Sequence, residues 1–310
     1  MPAIYLLLLR GAGWFYYLAP RRLRAILARA LGFISRMAGY RAAVVQQNLA
    51  FAYPGDSPEQ VHLRAKLTRD FYRHLGHLAF EGLTLFGPMR RYAAEQGECI
   101  GAEHWERARA AGRGVLLVTS HVGSWEVAAA MGAMTRDADV VLVSRNYKPY
   151  WMRQAIEDGR KRCGLDSTYE PRTLRDVLAR LKRNGTVAIV IDQYMAPPVG
   201  VRVPFFGVPV GTQVAIAVLA KRTGAAVLPF RNHRGDDGRV IVEAGAALPW
   251  ISHQNPDVEL ALNTAAYSAL VEGQIREHPA QWLWSHRRFK GDISPLRPGE
   301  WEEGRQKRGS

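Results

Sequence analysis

Residues 119–126 read TSHVGSWE, directly after the apolar run VLLV. A histidine closing a buried strand, a glycine at the turn and a carboxylate five positions past the histidine can be assembled into a base and its orienting acid. On one continuous helix that separation points two side chains apart, because neighbours on a helix face are three or four apart. With His121 ahead of the helix and Gly123 allowing a tight turn, Glu126 on the first turns can fold back toward the imidazole. A carboxylate on one ring nitrogen fixes the tautomer and stabilises imidazolium, which leaves the other nitrogen to take a proton from an alcohol. Taken alone, the pair is outweighed by its competing reading, a satisfied core histidine beside an unrelated surface glutamate. Other positions have to decide.

The elements around the motif give it a place. Residues 21–39 and 41–52 read as helices, and the stretch 58–86 is a long amphipathic helix ended by Gly87-Pro88. From about residue 97 the texture changes to short apolar runs, GVLLVTS, DVVLVS, TVAIVID and AAVLPF, alternating with helical patterns at 125–134, 149–162, 172–183 and 213–223. The expectation is an α/β fold with a mixed, largely parallel sheet flanked by helices, preceded by an all-helical region that opens on a membrane-anchoring helix. In segments, that is a membrane-associated helix over 1–20, helices over 21–96, an α/β domain over 97–295 and a polar tail over 296–310. In such a sheet ligands gather at the carboxyl ends of the strands, and His121 lies just past one of them.

The chain has 310 residues and a formal charge of +14, and only seven of its 42 basic residues are Lys. An Arg-rich surface suits phosphate, carboxylate or an acidic protein, because guanidinium forks bind oxyanions bidentately; decoration of a solvated surface is the plainer reading. Two cysteines without a CxxC indicate neither a disulfide framework nor a zinc site and fit a reducing, cytosol-facing compartment. The N-terminal MPAIYLLLLRGAGWFYYLAP is apolar for about 16 residues and broken by Arg10, shorter than the roughly 18 apolar residues of a clean spanning helix. Its Trp14, Tyr16 and Tyr17, followed by Arg21, Arg22 and Arg24, suit the headgroup level of an anionic leaflet, so an interfacial or barely spanning anchor is expected. His74, His77 and Glu81 share a helix face that could hold a metal, with helix packing as the stronger reading. The glycines of AAGRG precede a strand, where a dinucleotide fingerprint must follow one, and there is no P-loop. Neither a metal nor a cofactor is expected.

HVGSWE resembles the histidine, four residues, acid signature of the glycerolipid acyltransferases. GRKRCG at 159–164, VIDQYMAPPVGVRVPFFGVPVGT at 190–212 and PAQWLWSHRRFK at 279–290, in that order, resemble the lipid A late acyltransferases, and RAAVVQQNLAFAYPGDSPEQ resembles that family's N-terminal region. The resemblance covers nearly the whole chain. It implies His121 as general base with Glu126 as partner, and Arg160 and Asp192 as further members of the catalytic region. Arg160 would neutralise a phosphate or an oxyanion, and Asp192 would hold that Arg or a sugar hydroxyl. Arg145 and Asn146 follow a third strand and face the cleft in this reading, with Gln193 beside Asp192. Phe205 and Phe206 are wall packing or the lining of an acyl groove. Arg287 and Arg288 offer phosphate contacts or belong to a structural C-terminal clamp.

The resemblance further implies an acyl thioester as co-substrate, carried by acyl carrier protein or by coenzyme A, a phosphorylated lipid acceptor, and a place on the cytoplasmic face of a bacterial inner membrane among anionic lipids. No recognisable motif places a Ser or Cys as an acyl nucleophile next to His121, so direct transfer is expected. Two other readings stay open: acylation of a simpler lysophospholipid or glycolipid, and a basic membrane-surface or nucleic-acid-binding protein without catalysis. The second lacks any zinc-finger or RNA-recognition signature, so no nucleic-acid partner is expected.

Overall fold

Prolines and small residues cut the first third of the chain into helices. The computed structural model, which describes residues 2–135 and 138–302, shows α1 (Pro2–Leu18), α2 (Arg21–Met37), α3 (Ala42–Ala52), α4 (Pro58–Thr84) and α5 (Met89–Gln96). Ser57 caps α4 by accepting from the Gln60 amide at 3.4 Å, with Pro58 at the first helical position, where a missing N–H costs nothing. α2 crosses α4 at close range because the contact is made of Ala28, Gly32 and Gly76. A Cβ on Gly32 would collide with the Tyr72 carbonyl, and one on Gly76 with the Ala28 carbonyl. α1 lies on α4 in the same manner, through Gly13 against the Leu83 carbonyl.

The remainder alternates strands and helices: β1 (Gly97–Ile100), α6 (Ala102–Ala110), β2 (Val115–Thr119), α7 (Trp125–Met134), β3 (Val140–Val143), α8 (Tyr150–Lys161), β4 (Leu165–Thr168), α9 (Thr173–Lys182), β5 (Thr186–Val190), a hairpin of β6 (Gly200–Phe205) and β7 (Val208–Gln213), α10 (Ala215–Thr223), β8 (Ala226–Arg234), β9 (Val240–Ala244) and α11 (Pro256–Glu277). Among the described residues one sheet has the order β1-β9-β8-β2-β5-β3-β4, parallel throughout except where β8 and β9 meet. This is the expected mixed, largely parallel α/β sheet. The four apolar runs of the sequence are its central strands β2, β3, β5 and β8.

Both faces of the central strands are apolar, as a sheet covered by helices requires. Leu116, Val118, Val141, Val187, Ile189 and Val227 point to the larger core, shared with α9, α10 and α11. Leu117, Val140 and Ala188 point the other way, toward α6 and α7. That second side is incompletely filled, and the site lies there.

Within the segment read as a polar tail, residues 296–302 pack onto β6: Glu300 is buried and paired with Arg202, and the Trp301 indole donates to the Arg202 carbonyl at 2.9 Å. Residues 303–310 lie outside the described part. Among the described residues no helix is long and apolar enough to cross a membrane.

Candidate active site

Parallel register assembles the catalytic pair. Thr119 at the end of β2 stands opposite Val190 at the end of β5, so His121 and Asp192, each two residues further on, emerge side by side. The His121 Nδ1 lies 2.8 Å from Asp192 Oδ1, and the His121 backbone N–H donates to Asp192 Oδ2 at 2.7 Å. A third contact comes from the Trp282 indole, which donates to Oδ2 at 2.8 Å. A carboxylate only accepts, so Nδ1 carries the hydrogen and the neutral ring keeps its lone pair on Nε2. The segment around Trp282 also holds the loop backbone: Leu283 N–H donates to the His121 carbonyl at 3.1 Å and Gly123 N–H to the Gln281 carbonyl at 3.0 Å. Gly123 sits at φ +63, and a side chain there would strike Asn232. The clamp reading of WLWSHRR is therefore what the geometry shows.

Burial alone would lower the His121 pKa, but Asp192, through charge and hydrogen bond, and then Glu126 outweigh it and raise it above the ordinary value of 6.5. Burial likewise pushes the Asp192 carboxyl up, and the His121 imidazole, the His121 amide and the Trp282 indole overcome it, holding the group down at about 2. The pair is poised as a carboxylate and a base that gains a proton readily.

Glu126 does not hold the imidazole. Both its oxygens are taken by Arg160, Nε to Oε2 at 3.1 Å and Nη2 to Oε1 at 2.6 Å, while Arg160 Nη1 donates to Ser144 and Ser167 hydroxyls at 2.8 and 2.9 Å. Since α7 begins at Trp125, Glu126 leaves the helix on its first turn toward α8 and β4, and Asp192 already occupies Nδ1. The expectation of a His121–Glu126 contact, and of Asp192 holding Arg160, is corrected accordingly. The solvated-face reading of Arg160 falls too, because the side chain is only 4% exposed. With its guanidinium committed to Glu126, Ser144 and Ser167, and the Gly123 amide committed to Gln281, neither is placed as the oxyanion donor.

His121, Glu126 and Arg160 open on a cavity under α7. Its wall is one face of the sheet read at every second residue: Leu117 and Thr119 of β2, Val140 and Leu142 of β3, Ala188 and Val190 of β5, Phe230 and Asn232 of β8. Ala128, Ala129 and Gly132 of α7 form the roof, and Ile100 and Trp105 lie at the far end. The lining is mainly apolar: its charged groups gather around His121, and Cys99, Thr135 and Thr186 add polar side chains at the other end. Small residues on α7 leave the room that larger ones would fill.

Of the other expected site residues, Arg145 and Gln193 line this cavity. Asn146 instead braces its own loop, accepting from Arg153 at 3.0 Å and donating to the Glu170 carbonyl at 3.3 Å. Phe205 and Phe206 are buried in the larger core among Trp282, Trp284 and Phe289, away from the cavity, so the acyl-groove reading is replaced by packing. Arg287 is exposed. Arg288 is 1% exposed and donates to the Gln193 and Gly211 carbonyls and to Thr212 Oγ1, a buried brace unable to reach a phosphate. Burial lowers its pKa to about 10. Sequence reading missed Trp282 as a ligand of Asp192, the serines on Arg160, and Asn232, whose buried amide faces the cavity beside Gly123. No local pattern marks them, since each is supplied by a distant strand or loop. Among the described residues no group of three or more His, Cys, Asp or Glu is placed to hold a metal. Glu81, once a metal candidate, pairs with Arg234 at 2.6 Å and accepts from Tyr92 at 2.8 Å.

A family model described as bacterial lipid A biosynthesis acyltransferase matches residues 1–291. The chain is 31% identical over 267 residues to a lipid A biosynthesis lauroyltransferase of Escherichia coli K12, covering 84% of this chain and 81% of the relative. It is 26% identical over 285 residues to a lipid A biosynthesis palmitoleoyltransferase of the same organism, covering 90% and 89%. A phosphatidylinositol mannoside acyltransferase of Mycobacterium tuberculosis H37Rv is 31% identical over 212 residues, 67% of this chain and 65% of the relative.

Proposed function

The chain belongs to the bacterial lipid A biosynthesis acyltransferase family, and on that premise we propose that it moves a fatty acyl chain from a thioester to a hydroxyl of a phosphorylated glycolipid of the lipid A precursor class. The observation that carries this reading is that His121, paired with Asp192, lines the charged end of a mainly apolar cavity. The acyl chain lies in the cavity, which presents the thioester carbonyl to the mouth. His121 Nε2 takes the acceptor's hydroxyl proton as its oxygen bonds to the carbonyl carbon. The C–S bond then breaks, and the same nitrogen returns the proton to the departing thiolate, so the base ends as it began. Asp192 stabilises the imidazolium between these steps. The oxyanion falls to the amides of the first turn of α7 and to Asn232, donors that reach the same end of the cavity.

A carrier-protein donor is supported by the charge of +14, which attracts an acidic partner over long range. Residence at a membrane surface is supported by the apolar side chains that α1 and α2 leave in solvent, among them Ile4, Leu7, Leu8, Phe15, Ile26 and Phe33. The match to mannoside acyltransferases favours a second acceptor, a phosphatidylinositol mannoside or similar glycolipid.

The test is transfer from acyl carrier thioester to tetra-acylated lipid A precursor by wild type and His121→Ala, read by mass spectrometry. Wild type adds an acyl group and His121→Ala does so about 10²–10⁴-fold more slowly. Equal rates sink the assignment of the base, and no product from folded wild type, with product on the mannoside, moves the acceptor. Gly132 tests the cavity. Its Cβ position already touches the Phe230 ring at 3.1 Å, so Gly132→Leu fills the passage between α7 and β8. The variant is expected to shift donor preference to shorter chains, each excluded methylene forfeiting about 0.8 kcal/mol; an unchanged chain-length profile places the acyl chain elsewhere.

A further inference from the structure

A second cavity, about 500 Å³ and sharing no lining residue with the first, opens between α2, α4 and the β8–β9 turn. Five arginines line it, Arg21, Arg24, Arg29, Arg73 and Arg234, with His74 and His77 between them. Two of the five are neutralised locally: Arg234 by Glu81, and Arg73 by Asp70 at 3.4 Å. Arg21, Arg24 and Arg29 form no salt bridge among the described residues, and the facing carboxylates, Asp236 and Asp237, are exposed on the turn. Arg24 is held in place by its neighbours, its guanidinium carbon 5.9 Å from the Tyr16 ring and 5.6 Å from the Tyr92 ring. Its buried Nε nevertheless has no hydrogen-bond partner among the described residues, and neither does that of Arg234. Guanidinium groups without a carboxylate partner, lining a polar hollow, are what an oxyanion site requires.

We propose that this cavity binds the phosphate of a lipid headgroup, at a site separate from the acyl-transfer cleft. A lipid fits better than a protein partner because the same helix that supplies Arg24 and Arg29 exposes Leu23, Ile26 and Phe33 to solvent, so a phosphate drawn into the hollow leaves its acyl chains along an apolar face. Shape agrees, since a hollow takes a headgroup and a folded domain would meet only its rim. The field inside is positive: burial first, then Arg234, outweighing Glu81, with Arg29 and Arg73 adding to it, hold His77 down at about 4. The site also touches the catalytic loop, because His74 on its wall lies 3.3 Å from the Gly123 carbonyl. An occupied site therefore braces the loop that carries His121.

The full chain is titrated with inorganic phosphate, with short-chain phosphatidylglycerol below its micelle concentration, and with acyl carrier protein, following the His77 ring resonances. Phosphatidylglycerol is expected to raise the His77 pKa saturably and at lower concentration than phosphate, with about a fivefold loss of affinity for each arginine removed in Arg24→Gln and Arg29→Gln. Arg22→Gln and Arg36→Gln, on the same helix but outside the cavity, are expected to leave the saturable response intact. Arg29→Glu, at an exposed position, serves if Arg24→Gln misfolds. A response absent from wild type, or equal in the cavity variants and the controls, overturns the site. Phosphate binding as tightly as the lipid, or a response to carrier protein alone, overturns its assignment to a headgroup. None of these readings depends on acyl transfer, so failure here and failure of the proposed activity are distinguishable.

Discussion

Asp192→Asn is expected to lower acyl transfer by about 10⁴-fold while the protein stays folded. The size follows from which donors the carboxylate already serves. Oδ2 accepts from two fixed donors, the His121 amide and the Trp282 indole, so an asparagine must put its carbonyl there and its NH₂ against Nδ1. Facing a donor, Nδ1 gives up its hydrogen and the ring becomes the Nε2–H tautomer. Nε2 can then no longer accept the acceptor's proton. Trp282→Phe removes one donor and leaves the tautomer correct, so its effect is expected to be much smaller. The measurement is kcat with both substrates saturating, beside thermal unfolding; a loss of tenfold or less for Asp192→Asn would sink the role given to Asp192.

The same pair fixes a pH signature. His121 must be neutral to act, and its pKa lies above 6.5, so the acid limb of kcat/KM has its midpoint above 6.5. Stability runs the other way. A raised histidine contributes fully below its unfolded value and loses that contribution as pH climbs through the folded one. Asp192, depressed from 3.8 to about 2, contributes above 3.8 and loses it as pH falls toward about 2. Stability due to the pair is therefore greatest between pH 3.8 and 6.5, below the range in which the base works best.

Much of this was legible in strand ends. TSH and VID each follow an apolar run by the same offset, and once β2 and β5 pair in parallel the two side chains must meet. What the chain does not print is the pairing itself, and Glu126, nearer in sequence, takes the role in any reading that counts residues along one segment. β1 and β4 are four residues long and carry Glu98 or Asp166, so no apolar run announces them, and β9 offers only Val240, Ile241 and Val242 before Glu243. α11 hides for the opposite reason. It is buried on most of its circumference, with Glu259, Asn263, Thr264 and Gln274 inside, so no polar stripe marks its period. Phe205 and Arg288 illustrate a third limit: aromatic and basic residues near a site read as substrate contacts, whereas here burial makes them the scaffold behind Asp192 and Gln193.

Arg160→Met is expected to destabilise the fold by about 3–5 kcal/mol, because it leaves a carboxylate 16% exposed without its partner. The Ser144 and Ser167 hydroxyl oxygens lose the donor they accept from at the same time. Glu126→Gln keeps one hydrogen bond to the guanidinium and should cost less, and the double variant Arg160→Met/Glu126→Gln should recover part of the loss, which chemical denaturation of all four proteins measures as a coupling energy. The cycle also decides how Glu126 serves the reaction. Its charge helps hold the His121 pKa up. If it acts through that field and through the placing of α7 against α8, Glu126→Gln moves the acid limb to lower pH and leaves the plateau within about an order of magnitude of wild type. A plateau lowered as far as in Asp192→Asn, with the limb unmoved, would instead put the carboxylate on the reacting atoms. The bidentate grip of Arg160 argues against that outcome, since both oxygens a substrate would need are already taken.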